Sequence, residues 1–217
     1  MADPESYQAS YDLLAIAERL ERVWDGVTAA ELHLVAYVAC LLAIYRKRPA
    51  SDWGYAFIRS PWGAPFSPDL EASCNALRVG GFLDARTDVL TTTPSGRDFL
   101  AFLSGGSQHG WRTQFLDGAC SSALAVPAGA MRNAVQEEPS LRRSSVHRQP
   151  RPLLTAGDTV ALYEQFGVLA EVVGTDVSDL MVPSVVWLTY LSEAKRLEEQ
   201  RLALAETGSL ESRHRVD

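Results

Sequence analysis

Four histidines, three cysteines and the adjacent glutamates Glu137 and Glu138 are among the residues of this chain that could do chemistry. A zinc site draws its ligands from cysteines and histidines a few residues apart. Here His33, His109, His147 and His214 are scattered, Cys40, Cys74 and Cys120 are widely spaced, and neither CxxC nor HxxxH occurs. Phosphate loops need Gly-x-x-x-x-Gly-Lys-Ser/Thr, or Gly-x-Gly-x-x-Gly after a strand. Gly105-Gly106 follows a predicted helix and carries no lysine, and a Gly-x-Ser-x-Gly elbow is absent. Cys120 falls inside a predicted helix, away from an activating helix N-terminus, and reads as a structural thiol. Glu137 and Glu138 are sequence neighbours, so on a helix their side chains diverge and make a poor acid–base pair. The expectation is a chain that is not an enzyme, with no catalytic residue, metal or cofactor.

Composition narrows the field further. The chain has 217 residues, 47% hydrophobic and 22% charged, with 20 Lys+Arg against 27 Asp+Glu for a net charge of −7. A chain of this size buries roughly 70% of its unfolded surface without a metal or disulfide staple. The acidic balance argues against a stand-alone nucleic-acid binder, whose phosphate contacts require a basic face. Three widely spaced cysteines fit buried thiols in a reducing, cytoplasmic compartment. The opening MADPESYQ has neither the basic nor the apolar region of a signal peptide, and no apolar run suits a membrane span.

The elements that must carry any function are mostly helical. Apolar residues from Leu13 to Trp24 recur at helical spacing. Thr28 with Glu31 forms a capping-box signature, and Leu34 to Tyr45 is apolar on every side, so this helix is expected at the buried centre. Arg46-Lys47-Arg48-Pro49 ends it. Between Ser51 and Pro65, Trp53, Tyr55, Phe57 and Trp62 fit either a loop packed on the core or an exposed contact patch.

Ser67-Pro68-Asp69 opens another helix through Leu70, Cys74, Leu77 and Arg78, closed by Gly80-Gly81. Two short strands follow around Arg86-Thr87, and Thr93-Pro94-Ser95-Gly96 starts a helix carrying Phe99, Leu100, Phe102 and Leu103. Helix, double glycine, hairpin and Leu90-Thr91-x-x-Pro94-x-Gly96-Arg97 together resemble a winged helix-turn-helix over Thr28 to Leu103. The wing of MarR- and PadR-type regulators carries a similar LT-x-x-G run. The chain departs from the DNA-reading pattern, because Asp69 and Glu71 occupy the start of the would-be recognition helix. Arg78, Arg86 and Arg97 are the cations available there to a nucleic-acid or protein partner.

After Gly105-Gly106 the chain reads as a helix from Trp111 to Leu124 and another from Pro127 to Gln136. Ser140 to Pro152 is arginine-rich and free of acids, which predicts a loop. Its Arg142, Arg143, Arg148 and Arg151 fit a plain surface connection, or a contact with nucleic-acid backbone or an acidic protein surface. Thr155 caps a helix from Val160 to Val173 with Leu162, Phe166, Leu169 and Val173 on its inner face. The final helix opens near Pro183 and becomes charged beyond Ser192.

The reading is therefore mainly α: a winged-helix module with a small two-stranded wing, embedded in a helical domain. It divides into an N-terminal helix (1–27), the module (28–104), a helical region (105–206) with the basic loop (140–152), and a disordered tail (207–217). Pro127-x-Gly129, Glu138-Pro139 and Val182-Pro183-x-Val185-Val186-Trp187-Leu188 give the layout a further resemblance. It is similar to the small middle components of bacterial three-component systems built around an SMC- or ABC-type ATPase, including Lamassu-like anti-phage defence. That resemblance implies an accessory subunit that joins a larger partner and meets DNA only weakly or within the complex. A dimeric winged-helix regulator of transcription binding duplex DNA is the other expectation.

Overall fold

Apolar residues at helical spacing wind the N-terminal segment into α1 (Pro4–Trp24), whose Leu13, Leu14, Ile16, Ala17 and Leu20 are buried. The computed structural model describes residues 4–86, 88–106, 109–145, 151–174 and 178–213. A short strand, β1 (Val27–Thr28), leads into the central helix α2 (Ala29–Tyr45). The capping box at its start is complete. Thr28 Oγ1 accepts from the Glu31 N–H at 3.3 Å, and Glu31 Oε2 accepts from the Thr28 N–H at 2.9 Å. Every residue of α2 from Leu32 to Tyr45 is buried, as its all-round apolar sequence requires.

The aromatic segment splits between its two expected roles. Trp53, Tyr55 and Phe57 enter the core, whereas Trp62, at the tip of a small hairpin, is 87% exposed. That hairpin pairs β2 (Ile58–Arg59) with β3 (Pro65–Phe66). Ser67 then caps α3 (Pro68–Val79), with Pro68 in the first turn and Leu70, Cys74 and Leu77 turned inward. The wing follows as β4 (Leu83–Arg86) and β5 (Val89–Thr92), antiparallel with Leu83 opposite Thr92. β1 adds to β5 through Val27 opposite Leu90, so the sheet has three strands in the order β1-β5-β4. Helix, strand, two helices and a hairpin returning to that first strand is the winged-helix order. α1 belongs to this packing, since it lies against α3, β5 and α4 (Pro94–Ser104).

The remaining helices enclose α2. α5 (Gly110–Ala125) packs on α2 and on α9 (Met181–Arg213), and α6 (Ala128–Gln136) also meets α9. α7 (Pro139–Ser144) joins α8 (Ala156–Val173), which leans on both α2 and α9. The segment expected as a loop from residue 140 thus begins as a helix. Glu138 is its N-cap, fully buried, accepting from the Ser140 and Leu141 N–H groups at 2.8 and 3.0 Å and from Tyr37 Oη at 2.8 Å. Pro139 at the first helical position completes the start signal. α9 likewise continues to Arg213, past the boundary expected at Thr207, because its charged repeat sustains the helix; residues 214–217 lie outside the described residues.

One ion pair sits inside this core. Arg112 of α5 donates through Nε to Asp12 Oδ1 at 2.9 Å and also binds Asp12 Oδ2, and both side chains are fully buried. Its Nη1 donates to the Trp53 carbonyl at 2.7 Å, and the guanidinium lies 3.9 Å from the Trp53 ring centre. Tyr55 Oη donates to Asp12 Oδ2 at 2.6 Å. Burial disfavours the charged guanidinium, but Asp12 more than offsets this and holds its pKa above the ordinary value.

His33 links α2 to the start of α3 in its neutral form. Nδ1 accepts the Ser67 N–H at 3.1 Å, which leaves the proton on Nε2, 3.5 Å from Glu71 Oε2. Burial lowers its pKa from the ordinary 6.5, with Glu71 pulling the other way. The unfolded chain therefore binds a proton here that the folded chain resists. The stability this contributes is whole above pH 6.5 and is lost as pH falls through the lowered folded value. His109 is shifted downward as well and adds a slope of the same sign. Burial raises the pKa of Glu138, which gives a slope of the opposite sign. The His33 contribution is therefore read by difference: in urea unfolding between about pH 5 and 7, wild-type stability should rise more with pH than that of His33→Gln. An unchanged slope in the variant would contradict the assignment.

Candidate partner-binding surface

The arginines singled out in the sequence are mostly engaged within the chain. Arg97 of α4 bonds Glu21 of α1 at 3.1 Å. Arg142 of α7 meets Glu198 at 3.1 Å and Glu137 at 3.8 Å. Arg143 lies 3.5 Å from Asp158 and donates to the Gly157 carbonyl at 3.0 Å, and Arg151 lies 3.7 Å from the same carboxylate. Asp158 is buried, so Arg143 and Arg151 clamp the start of α8. Arg148 falls outside the described residues, and only the backbone of Arg86, in β4, is described. Arg78 is exposed near the end of α3. The five of these arginines whose side chains are described are therefore not gathered into one basic face.

The would-be recognition helix presents little for phosphate to bind. Its outward residues are Asp69, Ala72, Asn75, Ala76, Arg78 and Val79, and Glu71 turns partly inward toward His33. Asp69 at its start is exposed.

A cleft of about 690 Å³ lies between α2, the turn at Ala50–Trp53 and the start of α8. Three of its polar side chains are already committed: Tyr55 to Asp12, Thr155 Oγ1 to Asp158 Oδ2 at 2.6 Å, and Thr159 Oγ1 to the Ala156 carbonyl at 3.1 Å. The Cys40 thiol at its wall is pushed far upward by burial, which suppresses the thiolate. Burial likewise raises the Cys120 thiol to about 12. Among the described residues, no group of three or more His, Cys, Asp or Glu side chains could hold a metal ion. Nor is any described helix long and apolar enough to cross a membrane.

The strongest surface feature is apolar. α8 buries Leu162, Phe166 and Leu169, with Phe166 edge-on to Tyr45 of α2 and tilted against Trp187 of α9. Its outer side is uncovered: Val168 is 62% and Val172 73% exposed, Val160 and Tyr163 are exposed as well, and Glu164 and Glu171 lie among them. α9 adds Val182, Val186 and Tyr190. Between the two helices runs a groove of about 390 Å³, walled by Val168, Val172, Val186 and Tyr190 and floored by Leu169 and Trp187. The floor is saturated, since Trp187 Nε1 donates to Gln165 Oε1 at 3.2 Å. Exposed apolar patches of this kind are, in general, uncommon on proteins that meet no partner. Sequence reading named only the inner face of α8. The missed signal was that VALYEQFGVLAEVV is apolar on both sides while one side alone can meet the core.

Comparison of the chain with protein families, with curated proteins and with solved structures finds no match.

Proposed function

We propose that this protein is a non-catalytic accessory subunit that docks onto a larger protein through the exposed apolar face of α8 and α9. The observation that carries this reading is that face itself, with valines more than half exposed beside a saturated groove. The winged helix supports it from the other side. Its outward helix starts with an acid, and Arg97, Arg142, Arg143 and Arg151 pair with buried or half-buried acids of the fold itself. The partner class that the sequence resemblance implies is an ATPase of the SMC or ABC type, in an anti-phage defence complex that meets DNA as a whole. Three buried free cysteines are compatible with a cytoplasmic setting.

The test is affinity purification of the full chain from its native host beside Val168→Asp/Val172→Asp. Both positions are exposed, so the variant should fold with a melting temperature within a few degrees of the wild type. A charge set into a desolvated interface costs binding on the order of 2 kcal/mol or more. Recovery of the partner is therefore expected to drop by at least about tenfold. Sequence-specific duplex binding by the isolated wild type, unaffected by the double variant, would instead establish the regulator reading.

A further inference from the structure

We propose that the occupant of the α8–α9 groove is an amphipathic helix of a different protein, with lysine or arginine flanking its apolar stripe. This rests on the docking reading above and names the chemistry of the partner.

The groove has the form of a helix seat. Val168 and Val172 stand four residues apart on α8, and Val182, Val186 and Tyr190 repeat the same spacing on α9. Two such ridges with a furrow between them accept the side-chain ridge of a third helix. The charge on the two faces that form the seat has one sign. α8 carries Asp158, Glu164 and Glu171 and no lysine or arginine, and α9 from Met181 to Ser192 carries no charged residue. Asp158 is matched internally by Arg143 and Arg151. Glu164 lines the groove, and Glu171 falls on the same stripe, three residues beyond Val168. Among the described residues neither is in an ion pair.

That unmatched acidity selects among occupants. A second copy docking by the same face would bring an equally acidic surface into an apolar contact, and like charges there are strongly disfavoured. An anionic membrane would be repelled for the same reason. A helix with flanking cations satisfies both the apolar floor and the acids, as in helix-in-groove recognition generally.

Two labelled peptides of about 20 residues would test this, titrated into the full chain by fluorescence anisotropy. Both carry the same leucine stripe; one has lysines flanking it and the other has glutamates at those positions. The wild type is expected to bind the lysine peptide about tenfold tighter, the order expected of two partly desolvated ion pairs. Glu164→Lys/Glu171→Lys should invert the preference, and Val168→Asp should weaken both peptides at least tenfold, with circular dichroism unchanged. Equal affinity for the two peptides overturns the cationic partner but leaves the docking role standing, because the native co-purification reports on that separately. No binding of either peptide overturns the helical occupant. A wild-type dimer in sedimentation that Val168→Asp dissolves would assign the groove to a second copy. Co-sedimentation with phosphatidylcholine–phosphatidylserine vesicles, lost in Val168→Asp, would assign it to a membrane. Either result ends the proposal.

Discussion

Asp12→Ala is expected to destabilise the protein by about 3–5 kcal/mol, the range for removing one partner of a buried ion pair. The guanidinium of Arg112 is fully buried and loses its carboxylate, while Tyr55 Oη loses its acceptor. A charge left alone in a medium of low dielectric has no water to replace its partner. Arg112→Met placed in the same background should recover a substantial part of the loss, since an apolar side chain of similar length removes the orphaned charge. Urea unfolding followed by tryptophan fluorescence suits the measurement, because the guanidinium rests 3.9 Å from the Trp53 ring centre. A loss below about 1 kcal/mol would mean that the pair behaves as a solvated surface bridge. A double variant no better than the single would mean that the site tolerates the lone cation.

Gly96→Ala is expected to destabilise by about 2–4 kcal/mol, reversing the usual order in a helix, where alanine is favoured by about 1 kcal/mol. A Cβ on Gly96 would lie 2.1 Å from the Phe82 carbonyl oxygen and 2.9 Å from Thr92 Cγ2. The carbonyl is main chain and cannot rotate away. It also accepts the Thr93 N–H at 3.1 Å, so moving it breaks the joint between wing and helix. The control is Gly167→Ala, whose Cβ meets nothing within 4 Å. That change should stabilise by about 0.5–1 kcal/mol through helix propensity. If thermal melts showed both substitutions moving in the same direction, the close approach at Gly96 would not be the reason for that glycine.

These two residues mark how far the sequence could be read. Gly96 lies in the Leu90-Thr91-x-x-Pro94-x-Gly96 run, and its neighbours announce the local structure: Thr93 Oγ1 accepts the Gly96 N–H at 3.0 Å. Thr28 and Ser67 act in the same way, because a cap is settled within three or four residues. The buried course of α2 was equally plain, since no orientation of that helix hides a polar face. Asp12 and Arg112 left no such trace. They sit 100 residues apart on two ordinary-looking helices, and nothing local distinguishes them from solvated charges. The basic segment misled for a related reason. Its composition reads as loop, yet Glu138-Pro139 is a helix start, and the acids that neutralise Arg142 and Arg143 come from α8 and α9. The exposed apolar face of α8 was half legible. The helix is too apolar for one buried side, but which side meets α2 is decided by packing.

The span between Asp12 and Arg112 also sets an order of events during synthesis. The winged-helix elements, ending at Ser104, are already in the nascent chain before Arg112 is added. At about 5–20 residues per second, the 100 residues between the partners take about 5–20 s to make. Tyr55 Oη, made 43 residues after Asp12, can reach the carboxylate earlier, but it brings no positive charge. The first half of the protein is therefore made before the cation that neutralises its buried acid.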